Sequence, residues 1–167
     1  MTPIVVDALQ RLADAIVDLF RNEHLRYAAP GERAVVAELY VRVRERFPEY
    51  QVNDEYDRRE RAVKDLIYPD AAGVMDEADI VPDLIVHRVG TQDHNLLVVE
   101  AKRHTNRDFA KDIWKLRGMT GQAGRYAYAV GVHLVLNIPA GRVVRADVYI
   151  DGAINAEATQ WFAGHFK

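Results

Sequence analysis

Ile80-Val81-Pro82-Asp83-Leu84-Ile85-Val86-His87 and Leu96-Leu97-Val98-Val99-Glu100-Ala101-Lys102 are the two stretches that decide the fold of this chain. Both are apolar, β-branched runs of strand length. The polar residues 90–95 between them read as a turn, so the pair predicts a β-hairpin. Side chains alternate across a strand, so Glu100 and Lys102 share one face while Ala101 takes the other. Asp83 follows Pro82 at a strand start or edge, where pairing loosens and a side chain can turn into a cleft. Two carboxylates and an ammonium are therefore expected to converge on one spot. Burying charges at the end of Leu-Leu-Val-Val costs on the order of several kcal/mol unless a partner or a function offsets it.

The flanking pattern supplies helices. Thr2-Pro3 is a helix start, and Val5, Leu9, Leu12, Ile16, Leu19 and Phe20 recur at helical spacing to about residue 24. Pro30-Gly31 breaks the chain before a second helix that runs to about Phe47, with Val35, Val36, Leu39, Tyr40, Val43 and Phe47 on its apolar stripe. At about 100° per residue, Glu32 projects near the middle of that stripe, whereas Glu38 and Glu45 fall to the other side. An acid at the core-facing edge needs a reason, and the helix N-terminus supplies only part of one.

Residues 50–56 read as a weak strand, 58–66 as a charged segment with helical character, and 69–79 as a loop. After the hairpin come a helix over 106–117, apolar strands from Ala129 to Asn137 and from Arg142 to Ile150, a turn at Asp151-Gly152 and a short closing helix with Trp161, Phe162 and Phe166. The expected class is α/β, with a central mixed β-sheet flanked by helices.

The chain has 167 residues, 49% hydrophobic and 28% charged, which suits one globular domain able to fold without a metal or disulfide. We divide it into an N-terminal packing helix (1–28), a core (31–137) and a C-terminal strand and helix (138–167). The absence of cysteine excludes disulfides, thiolate zinc sites and cysteine nucleophiles. No leader pattern or long apolar run is visible, so a cytoplasmic protein without membrane attachment is expected. The net charge of −3 argues against nucleic-acid binding by bulk electrostatics alone.

The chemistry lies in the hairpin. A hard cation such as Mg²⁺, for which Mn²⁺ can substitute, takes oxygen ligands, and one or two carboxylates with a backbone carbonyl and phosphate oxygens meet that need. Such an ion polarises a phosphoryl group and lowers the pKa of water. A lysine beside it would have its charged form disfavoured, which suits a group that orients or deprotonates water. The segment Pro82-Asp83 followed by Glu100-Ala101-Lys102 resembles the signature of the PD-(D/E)xK superfamily, the restriction-endonuclease-like nucleases, and specifically its small stand-alone bacterial members. Gly31-Glu32-Arg33 at a helix start, Glu55-Tyr56-Asp57-Arg58 at a strand end and Asp112-Ile113-Trp114-Lys115-Leu116 in the following helix give it similar context. The resemblance covers roughly residues 31–137.

It implies a restriction-endonuclease-like three-layer core and a metal-dependent nuclease acting on DNA. Asp83, Glu100 and the carbonyl of Ala101 would be metal ligands, Lys102 the water-positioning lysine, and Glu32 the first-helix acid, with Glu38 as runner-up. Gln122-x-x-x-Tyr126 also matches a motif of recombination exonucleases in that superfamily. The alternative is a nuclease-fold binding or regulatory module without turnover. Arg58, Lys111 and Lys115 are the expected phosphate-binding cations, because basic groups beside the site would neutralise a nucleic-acid backbone. Two-strand cleavage would call for two sites and hence a homodimer. His87, His94 and His104 flank the hairpin without zinc spacing and are expected to be supporting residues.

Overall fold

Proline lacks an amide hydrogen, so it costs nothing in the first turn of a helix, and Pro3 opens α1 (Pro3–Phe20) with Thr2 as its extended cap residue. The computed structural model describes residues 1–55, 65–88 and 95–167, with the backbone alone of Arg58–Arg59 and Ala62–Val63. Val5, Leu9, Leu12, Ile16 and Leu19 of α1 are buried, as the helical spacing requires. The helix stops short of residue 24, because the Asn22 side chain accepts from the His24 and Leu25 amides and starts a separate α2 (Glu23–Ala28). Helix α3 (Glu32–Arg46) follows and buries Val35, Val36, Leu39 and Val43.

Strand β1 (Gln51–Asp54) pairs antiparallel with β6 (Leu84–His87), and β6 with β7 (Leu97–Arg103). The hairpin read from the sequence is therefore present, although Asp83 stands in the bend just before its first strand. Helix α4 (Ala110–Thr120) carries the chain to β8 (Val130–Asn137), which lies parallel to β7. Strands β9 (Arg142–Ile150) and β10 (Ala153–Ile154) complete a six-stranded mixed sheet of order β1-β6-β7-β8-β9-β10. Asp151 and Gly152 take positive φ at the expected turn, and α5 (Ala156–Ala163) closes the chain with a final 3₁₀ turn.

Two expectations are corrected between residues 58 and 79. The charged segment is not helical: β2 (Arg58–Arg59) pairs with β3 (Ala62–Val63), and β4 (Asp65–Pro69) follows. Nor is 69–79 a plain loop, since β5 (Met75–Asp79) pairs with β4 as an antiparallel ribbon. Most of β5 is exposed, so its acids carry no alternation to read. The Asp70 side chain shapes the turn by accepting from the Ala72 and Val74 amides, and Gly73 supplies a φ of 81°.

Apolar side chains form a core on each sheet face. Leu97, Val99 and Ala101 of β7 join the cluster with α1, α3 and α5, whereas Val98 joins Leu116 and Met119 of α4, Leu66 of β4 and Tyr126, Tyr128 and Tyr149. The architecture is thus α/β with helices on both faces of a mixed sheet. Among the described residues no helix is long and apolar enough to cross a membrane.

Candidate functional site

Alternation along β7 places Glu100 and Lys102 on the α4 face, beyond Val98, at the end where the sheet meets α3. Asp83 arrives from the bend before β6, and its Oδ2 accepts the Ala101 amide at 2.8 Å. Its own carbonyl accepts the Glu55 amide at 3.2 Å, which fixes the bend against the end of β1. Glu32, in the first turn of α3, accepts the Lys102 ammonium at 3.2 Å and the Arg103 amide at 3.1 Å. The helical-phase argument for Glu32 therefore meets a physical partner. Glu38 does not enter the site: it pairs with Arg42 one turn along the same helix.

Helix α4 contributes two members. Asp112 Oδ2 lies 3.3 Å from the Lys102 ammonium. The Lys115 ammonium is bonded to Glu100, donates to the Val81 carbonyl at 3.3 Å and lies 3.6 Å from Asp112 Oδ1. Lys115 is corrected as a phosphate-binding cation, because it is 6% exposed and its charge is spent on the interior. Asp112 escaped assignment to the site, yet its signal was present. Asp112, Lys115, Leu116 and Met119 lie at i, i+3, i+4 and i+7, so the acid and the lysine share the buried stripe with two apolar residues. His133, on β8 beside Glu100, was hidden within an otherwise apolar strand and is fully buried.

Four carboxylates (Glu32, Asp83, Glu100 and Asp112) thus face the ammonium groups of Lys102 and Lys115, a formal deficit of two positive charges. Electrostatics follow from that imbalance. Burial raises the Asp83 pKa, against the Ala101 amide and the two lysines, which pull the other way. Burial also pushes Glu100 well above the ordinary carboxylate range, with Lys115 opposing it. For Lys102 burial alone would favour the neutral amine, but Asp112, Glu32 and Asp83 outweigh it and hold the ammonium above the ordinary lysine range. The metal-free site therefore keeps Lys102 firmly charged, the reverse of the tendency expected beside a dication. Burial lowers the His133 pKa, with Asp112 opposing it.

The donors fit a hard cation in kind, since Glu32, Asp83, Glu100 and Asp112 offer only oxygen. Glu100 is fully buried, and its Oε1 has no hydrogen-bond partner among the described residues. An unpaired buried carboxylate oxygen is costly and marks a place where a cation would be stabilised. As arranged, however, no group of three or more His, Asp or Glu residues among those described is set to hold a metal ion. Lys115 stands against Glu100 instead.

Around the cluster, Lys111 is exposed on α4, and with Trp114, Ala110, Asp70, Ala71, Asp76 and Ala78 it lines a cleft of about 460 Å³. Past the end of β7, His104, Arg107, Phe109, Val135, Val144 and Arg145 line a second cleft of about 280 Å³. The Arg58 side chain and His94 lie outside the described residues. His87 is structural, 2.9 Å from Asn53 Oδ1. Gln122 donates to the Thr120 and Tyr128 carbonyls, and Tyr126 donates to the Asp65 carbonyl, which gives both residues of that motif a packing role. Comparison with protein-family models, curated proteins and solved structures finds no match to this chain.

Proposed function

We propose that the chain is a metal-dependent nuclease of the restriction-endonuclease-like kind, hydrolysing phosphodiester bonds in DNA. The observation that carries this reading is the acidic excess around Lys102: four carboxylates on two ammonium groups, with a buried Glu100 oxygen left unpaired. Such an arrangement is costly as a structural device and is stabilised by a divalent counter-ion. Asp83 and Glu100 would hold Mg²⁺ or Mn²⁺ with the Ala101 carbonyl, and the ion, when bound, supplies Lewis acidity to the phosphoryl group. Lys102, beside that ion, would orient or deprotonate the attacking water and stabilise developing negative charge. Glu32 anchors Lys102 and the Arg103 amide, which fixes the direction of that ammonium. Lys111 and Arg107 are solvent-facing cations available to backbone phosphates.

Incubation with linear and branched DNA and with RNA, in Mg²⁺ or Mn²⁺, tests the reading. Lys102→Ala should lower cleavage by about 10²–10⁴-fold, and equal rates in wild type and variant would remove the mechanism. The second reading, a nuclease-fold module that binds without cleaving, draws support from the complete burial of Glu100 against Lys115. It predicts nucleic-acid binding with no turnover under any metal.

A further inference from the structure

An ammonium surrounded by oxygens occupies the kind of space a metal ion needs. Lys115 meets Glu100 Oε2, the Val81 carbonyl and, at 3.6 Å, Asp112 Oδ1. Glu100 Oε2 and the Val81 carbonyl are oxygens of the kind that hard divalent ions accept, and Asp112 is a second carboxylate partner for the lysine. Lys115 is anchored on α4, whereas Asp83 and Glu100 belong to the sheet hairpin, so the cation and its oxygens sit on separate elements. A lysine carries its charge on a flexible four-carbon stem and can move its ammonium without moving its backbone. A second seat is within reach at Asp112, one turn earlier on the same helix.

We propose that Lys115 is the resident counter-ion of the carboxylate cluster, and that a divalent metal binds there by displacing its ammonium from Glu100 toward Asp112. This inference rests on the metal-site reading above and adds its regulation: Lys115 sets the metal affinity. With the lysine in place, Glu100 is neutralised and shielded. Once it swings away, Glu100 Oε2 joins the unpaired Oε1 as a donor. A basic group that competes with the metal keeps the cluster stable while no metal is bound, and makes occupancy depend on ion concentration.

Calorimetric titration of Mn²⁺ into wild type, Lys115→Met and Asp83→Asn tests it. Methionine keeps the buried apolar stem and removes the charge. We expect Lys115→Met to bind Mn²⁺ at least about tenfold more tightly than wild type, given the strength of a nearby like charge in a low-dielectric site, and Asp83→Asn to lose binding. Mn²⁺ binding by wild type that Asp83→Asn abolishes, with Lys115→Met no tighter, overturns the displacement and leaves the metal site standing. Absence of Mn²⁺ binding in both wild type and Lys115→Met overturns the metal site and this inference together. Should Lys115→Met fail to fold, the same titration of Lys115→Gln decides: Mn²⁺ binding tighter than that of wild type is expected, and equal or weaker binding would overturn the proposal.

Discussion

The two ends of helix α4 meet the same sheet in opposite ways. Its C-terminal half is apolar and close-packed. A Cβ added at Gly131 of β8 would stand 2.8 Å from Thr120 Cγ2 and 3.1 Å from Leu116 Cδ2, so the glycine is what lets helix and strand approach. One turn earlier, at equal depth, Asp112 and Lys115 face Glu100 and Lys102. Packing accounts fully for the first end. The second exchanges hydration for ion pairs, which in general confer less stability than apolar side chains of the same volume would. The contrast locates where the chain gives up stability, at the cluster on which the proposed function rests.

The largest break in that contrast should come from Lys115→Ala. Removing the partner of a buried charge costs about 3–5 kcal/mol, measurable by urea unfolding without metal, and Mn²⁺ should restore part of the loss. A change no larger than that of an exposed lysine would mean that water already reaches Glu100. The pH response sharpens the same point. Burial raises the Asp83 and Glu100 pKa values in the folded chain, so the native state holds those protons more tightly than the unfolded one. Stability of the metal-free protein should therefore fall as pH rises from the ordinary carboxylate range toward the raised folded values, and Glu100→Gln should flatten that slope. At the apolar end, Gly131→Ala should cost about 1–3 kcal/mol through overpacking and leave the pH slope untouched, which thermal melts at several pH values would show. Glu38→Ala should move stability by no more than about 0.5 kcal/mol and leave cleavage unchanged, whereas Glu32→Ala should slow cleavage. Equal effects would erase the distinction between the two acids of α3.

The apolar end was the more legible from sequence. Strand and helix patterns gave the hairpin, α1, α3, β8 and β9 nearly as found, because the helices bury one face at a regular spacing and the central strands, buried on both faces, read as continuous apolar runs. Strand β5 left none: Met75, Asp76, Glu77 and Asp79 are in solvent, and it is paired to β4, whose Leu66 is buried in the core. At the ionic end, Asp83, Glu100 and Lys102 stood out because charge interrupts an apolar run. Glu32 was reachable through its phase on a helix, and its hydrogen bonds to Lys102 and Arg103 justify that inference. From the sequence Asp112 enters only as context in the following helix, not as a site residue, and His133 is not singled out. A charged residue in an amphipathic helix is unremarkable until its phase is compared with its neighbours, and a single imidazole in a strand has no spacing to betray it.

Glu32 and Lys102 are 70 residues apart in the chain, and their contact ties the first turn of α3 to the far tip of β7. Contacts of such long sequence separation bear a large loop-closure entropy and are among the last to form. Under the proposed nuclease reading, hydrolytic competence should accordingly arrive only when the architecture is complete, and a chain still folding, or one frayed at the α3 edge, would leave nearby nucleic acid intact.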